Sequence, residues 1–140
     1  YKTIDESVNF LEKLNLKKID HEHLRIIICA PFTSLFSMNK YINSSHSKVE
    51  LGAQNVYYEN EGAFTGEIST QMHKESDIQH VIVGHSERRT LFNEDNSIVV
   101  KKAKKVLDEN INYEYPLKEA VKAHEALESG KTIGATVLLP

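Results

Sequence analysis

Ile26-Ile27-Ile28-Cys29-Ala30 is an unbroken apolar run, rich in β-branched residues and stopped by Pro31. It is far too short to span a bilayer. It also has no polar face to give to water. It reads as the heart of a strand over residues 24–30 that is buried on both sides, which is the position of a strand in a parallel sheet covered by helices. Two further stretches fit the same role, residues 49–55 and 80–84. In the second, Val81-Ile82-Val83 is too short and too β-branched to make a good helix.

Helical patterns fill the gaps between these runs. Thr3-Ile4-Asp5-Glu6 forms a capping box, and Ile4, Val8, Leu11 and Leu14 then recur at helical spacing. Leu35, Met38, Tyr41 and Ile42 predict a second helix, broken by Asn43-Ser44-Ser45. Residues 68–74 suggest a short third helix. Residues 96–110 predict a strong one, with Val99, Ala103, Val106 and Leu107 on one face. Further on, residues 112–115 read as extended, and Pro116 suits a first helical position. Leu117, Ala120, Val121, His124 and Leu127 make an apolar stripe that Gly130 stops, and residues 136–139 read as a last strand. The fold class is therefore α/β, with parallel strands alternating with helices and right-handed crossovers, followed by a short β-α-β tail.

Composition narrows the function. With 140 residues, 40% apolar and 26% charged, the chain can bury one core. Its net charge of −3 gives it no general hold on nucleic acid or anionic membrane. Cys29 is the only cysteine, so neither an intrachain disulfide nor a cysteine-rich zinc site can form. A soluble, cytoplasmic protein without metal or cofactor is expected.

Most of the reactive side chains have ordinary readings. Lys101, Lys102, Lys104 and Lys105 could bind phosphate or nucleic acid, but their spacing is read as placing them opposite Val99, Ala103 and Val106, on a solvated helix face. Cys29, inside an apolar strand with no charge beside it, reads as a buried structural thiol. His21-Glu22-His23 reads as a surface pair lacking a third metal ligand, and His124 as a packed histidine. Gly84-His85-Ser86-Glu87-Arg88-Arg89 differs from these. It follows a buried strand at once, and parallel α/β folds place their active sites at that end. An imidazole facing the free N–H groups of a helical turn is disfavoured as imidazolium. In the neutral form it can donate one N–H to a developing oxyanion.

Residues 81–89, Val-Ile-Val-Gly-His-Ser-Glu-Arg-Arg, resemble the fourth-strand signature of the triosephosphate isomerase family. Gly62-Ala63-Phe64-Thr65-Gly66-Glu67-Ile68-Ser69 resembles that family's third loop, and Gly52-Ala53-Gln54-Asn55 and Ala30-Pro31-Phe32 match neighbouring strand ends in order. The resemblance covers residues 1–111 and implies a partial (β/α)8 barrel. A complete one needs roughly 250 residues.

By this resemblance His85 is the electrophile of an aldose–ketose isomerase that interconverts glyceraldehyde 3-phosphate and dihydroxyacetone phosphate in glycolysis and gluconeogenesis. Ser86 and Glu87 line the site behind it. Thr65 reaches into a neighbouring subunit of a dimer, supported by Gln54, Asn55, Glu67 and Arg88, with a Glu67–Arg88 ion pair across the interface. The family's substrate-contacting lysine strand, its base glutamate and its phosphate loops have no counterpart in these 140 residues, so inactivity of the chain alone is expected. Residues 112–140 resemble instead the C-terminal end of quinone oxidoreductases of the medium-chain dehydrogenase/reductase family, which implies a join near Ile111. No Gly-x-Gly-x-x-Gly fingerprint for NADPH is present. The alternatives are a non-catalytic, self-associating chimeric α/β module and, further off, a fragment of an NADPH quinone oxidoreductase.

Overall fold

The computed structural model describes residues 2–17, 19, 21, 23–109 and 111. The reading of residues 112–140 as a β-α-β tail lies outside them.

Among the described residues the chain alternates between helices and strands. In order these are α1 (Ile4–Asn15), β1 (Ile27–Ala30), α2 (Phe32–Ser45), β2 (Glu50–Ala53), α3 (Thr70–Glu75), β3 (His80–Val81), α4 (Ser86–Leu91) and α5 (Asn96–Asp108). The strands form one parallel sheet in the order β1-β2-β3, with Ile28 opposite Leu51, and Gly52 opposite His80. The expected α/β fold with parallel strands is therefore present.

The strands are shorter than the apolar runs that encode them. β3 stops at Val81, although the Ile82 N–H still donates to the Ala53 carbonyl. The second helix is longer than its apolar stripe suggests at both ends. Pro31 serves as its N-cap, so that it begins at once. Asn43-Ser44-Ser45, expected to break it, lie inside it, and the helix closes at His46 in the left-handed region. The capping box of α1 forms as expected, with the Thr3 hydroxyl accepting from the Glu6 N–H and the Glu6 carboxylate accepting from the Thr3 N–H.

Leu11, Leu35, Met38 and Ile42 from α1 and α2 pack with Val49, Leu51, Val56, Ile78, Val81 and Val106 to make the core. Gly52 lets the strands approach closely, since a Cβ there would lie 2.7 Å from Cys29 Sγ and 3.2 Å from His80 Cβ. Cys29 is half-buried in that contact, and burial pushes its thiol pKa up, which suits an inert, packed role.

One expectation needs correcting. Lys102 is not on a solvated face. It is 2% exposed, and its Nζ donates to Asn55 Oδ1 at 2.7 Å and to Glu94 Oε1. Positions 99, 102, 103 and 106 are spaced i, i+3, i+4, i+7, so Lys102 lies within the buried stripe of α5 rather than opposite it. The other lysines fit the expected face: Lys101 and Lys104 are exposed and Lys105 half-buried.

Candidate active site

All three strands run in parallel, so the turn after β3 lies at their carboxyl end. Gly84 makes that turn possible in two ways. Its φ of +74° strains any residue with a Cβ, and a Cβ there would meet Val99 of α5 at 3.0 Å. His85 follows as the N-cap of α4. Its Nδ1 accepts a hydrogen bond from the Glu87 backbone N–H at 3.2 Å. A nitrogen that accepts needs a free lone pair, so in this arrangement the ring is neutral and carries its hydrogen on Nε2. The Glu87 carboxylate stands 3.9 Å from Nδ1, beyond hydrogen-bond reach, and is largely exposed. Ser86 starts the helix, and its carbonyl accepts from the Thr90 hydroxyl.

The two arginines that follow brace this turn in different ways. Arg89 Nε donates to the Gly84 carbonyl at 3.2 Å, and its Nη1 to Asn96 Oδ1 at 2.7 Å. Arg88 Nε bonds Glu94 Oε1 at 2.6 Å, and its guanidinium lies 4.7 Å from the centre of the Phe92 ring. Glu94 is 5% exposed and takes Lys102 on the same oxygen. Burial works to raise the Glu94 pKa, but the bonds from Lys102 and Arg88 outweigh it and hold the carboxyl below its ordinary value. Of the residues that brace the turn, reasoning from sequence takes Arg89 only as part of the motif, places Lys102 on the wrong face and does not single out Glu94. For Lys102 the helical spacing was the available signal; for Glu94 none stood out.

The expected interface residues occupy two places. Gln54 Nε2 donates to the Cys29 carbonyl at the end of β1. Asn55 is engaged within the chain: Lys102 bonds its side chain, and His73 Nε2–H donates to its carbonyl at 2.9 Å. Arg88 likewise has its intrachain partner in Glu94. Thr65 is exposed at the tip of the 57–69 loop, with the Glu67 N–H closing a turn onto the Phe64 carbonyl. Tyr57 stacks on Tyr58 at 4.3 Å between ring centres and leans on Phe64 at 4.7 Å, and the Tyr57 and Tyr58 hydroxyls are hydrogen-bonded.

A cavity of about 400 Å³ lined by His21, His23, Leu24, Arg25, Lys48 and Glu50 lies at the amino end of the sheet, away from His85. Among the described residues no cluster of His, Cys, Asp and Glu could hold a metal, and no helix is long and apolar enough to cross a membrane.

A family model of triosephosphate isomerase matches residues 1–137. The chain belongs to the triosephosphate isomerase family. It is 39% identical over 132 residues to the triosephosphate isomerase of Dictyoglomus turgidum, covering 94% of this chain and 51% of that protein. To that of Alkaliphilus metalliredigens it is 37% identical over 128 residues, covering 91% and 50%. To that of a Picosynechococcus species it is 48% identical over 106 residues, covering 74% and 43%. The chain spans about half the length of the curated relatives it matches. Within the triosephosphate isomerase barrel, the three strands and their helices correspond to a partial circuit, with His85 at its carboxyl rim.

Proposed function

We propose that these residues supply the electrophile of a triose-phosphate isomerase site. His85 donates its Nε2 hydrogen to the carbonyl oxygen of a phosphorylated triose, and Ser86 and Glu87 line the space behind it. The observation that carries this is the Glu87 N–H donating into His85 Nδ1. That bond holds the ring as a donor on the side away from its own helix, where it stabilises negative charge developing on the substrate oxygen. The proton-abstracting base and the phosphate grip must come from groups other than these. The 140 residues alone are therefore expected to show no appreciable interconversion of glyceraldehyde 3-phosphate and dihydroxyacetone phosphate. Mixing with a complementary half barrel that carries the base restores turnover, and His85→Gln then lowers kcat by roughly 10²–10³. Full turnover by the 140 residues alone, or restored turnover indifferent to His85→Gln, overturns the reading.

The exposed Thr65 tip and its aromatic base support a second element, self-association of the chain through the 57–69 loop, with Gln54, Asn55, Glu67 and Arg88 around the contact. Thr65→Arg is expected to shift the protein toward monomer in sedimentation. A protein that associates but never turns over triose phosphate, even when complemented, would be the non-catalytic module. Measurable NADPH binding would favour an oxidoreductase fragment. We also propose that residues 112–140 are a quinone-oxidoreductase-like tail joined near Ile111. The runs Tyr113-Glu114-Tyr115-Pro116-Leu117-Lys118-Glu119-Ala120, Ala123-His124-Glu125, Leu127-Glu128-Ser129-Gly130-Lys131 and Leu138-Leu139-Pro140 support this. The isomerase family model, by contrast, runs on to residue 137, and a genomic read across codons 105–120 that shows one uninterrupted isomerase frame removes the proposal.

A further inference from the structure

The 57–69 loop closes at its base, where the Tyr57 N–H donates to the Ile68 carbonyl at 2.8 Å. Its outer limb is fastened elsewhere. Asn60 Nδ2 donates to Glu109 Oε1 at 3.3 Å, and Asn60 Oδ1 accepts from the Thr70 hydroxyl at 3.0 Å. Glu109, the C-cap of α5, also receives Lys74 Nζ of α3 at 2.7 Å and Lys105 Nζ of its own helix at 3.0 Å. One carboxylate thus gathers the loop, α3 and α5. From the same helix, Lys101 lies 5.2 Å from the centre of the Tyr58 ring and adds a second tie to the loop.

Each of these exposed contacts is weak on its own, and as a group they do little for global stability. They can do more for binding. A loop that is loose before association must be ordered when it docks, and that entropy is subtracted from affinity. We propose that Glu109 is a positioning residue that holds the 57–69 loop in place so that its Phe64–Thr65 tip is presented, already ordered, to a second copy of this chain. The inference rests on the reading of the loop as the self-association arm.

Sedimentation equilibrium and hydrogen exchange on the protein's full chain test it together. Glu109→Gln, which keeps the shape and removes the charge that attracts Lys74 and Lys105, is expected to weaken self-association by roughly fivefold. It also speeds amide exchange of residues 59–67 in the dissociated protein and leaves exchange in β2 unchanged. A purely structural role would instead speed exchange in β2 as well. Asn60→Ala should reproduce the loop effect, and adding it to Glu109→Gln should produce little more. If Thr65→Arg dissociates the protein while Glu109→Gln leaves both association and loop exchange unchanged, the clamp is refuted and the arm stands. If the wild-type protein is monomeric at every concentration, the arm fails and the clamp's role fails with it.

Discussion

The His85 turn and the 57–69 loop are each held by a carboxylate that gathers two cationic side chains, but in opposite surroundings. Behind the His85 turn, Glu94 is 5% exposed and takes Arg88 and Lys102 on a single oxygen. Beside the loop, Glu109 keeps 29% of its side chain exposed and spreads Lys74, Lys105 and Asn60 over both oxygens. Losing one partner of a buried pair strands a charge away from water, so that arrangement acts as a fixed peg. The partners of a surface carboxylate are rehydrated when released, so that arrangement adjusts cheaply. The turn that carries His85 sits on the peg, and the exposed 57–69 loop sits on the adjustable clamp.

The strongest way to break this contrast is Lys102→Met. It leaves the Glu94 carboxylate buried with Arg88 alone, and urea denaturation should show a loss of about 3–5 kcal/mol. The double variant Lys102→Met/Glu94→Leu should recover part of that loss, because no carboxylate is then left buried, while Arg88, 25% exposed, loses its partner but can reach water. If the two single losses simply add, the peg is not a coupled unit.

Gly84→Ala probes the turn itself. The positive φ and the approach to Val99 should together cost about 1–3 kcal/mol in thermal unfolding, with a larger fractional loss in any complemented turnover because His85 is the next residue.

His73 separates burial from charge pairing. Burial pushes its pKa below the ordinary 6.5, and the hydrogen bond to the Asn55 carbonyl only partly opposes this. Its Nδ1 is buried without a hydrogen-bond partner, and Phe32 packs edge-on to the ring. The folded state therefore prefers the neutral ring. Stability should be complete above about pH 6.5 and fall as pH drops toward the folded-state value, because unfolding then takes up a proton. His73→Leu should flatten that part of the stability–pH curve and, because the Asn55 carbonyl loses its donor, lower stability at pH 7.5 by about 1–3 kcal/mol. An unchanged slope would place the acid sensitivity elsewhere.

The smallest effect is expected at the surface clamp. Bonds from Lys74, Lys105 and Asn60 hold the Glu109 pKa down to about 2. A depressed carboxylate stabilises the fold above its ordinary value of 4.5, and that contribution fades as pH falls toward 2. Because these pairs face solvent, that contribution is small: Glu109→Gln should lower the melting temperature only slightly at neutral pH and should remove a small part of its acid dependence.

What could be read from the sequence was the part governed by neighbours along the chain. The Thr3–Glu6 box, the strand before Pro31 and the placement of His85 beyond Val81-Ile82-Val83 are each set within a few residues. The box forms as read, while the strand before Pro31 spans only Ile27–Ala30 and is half-buried except at Ala30, and the strand before His85 ends at Val81. Lys102 was misplaced because its charge was weighed above its position, although 99, 102, 103 and 106 mark one face. Its burial becomes affordable only through Glu94 and Asn55, eight and forty-seven residues away, and periodicity carries no information about such partners. The burial of His73 on a helix of only six residues, and the convergence of Asn60, Lys74 and Lys105 on Glu109, are likewise products of folding that no local pattern announces.

The paired phenols at the base of the arm have a spectroscopic consequence. The hydrogen bond from Tyr57 to Tyr58 pushes the Tyr57 pKa up to about 12. Among the chain's six tyrosines, one should therefore ionise late in an alkaline absorbance titration. Anything that pulls the two rings apart would bring its phenolate band in earlier, so the arm carries its own optical gauge of whether it is assembled.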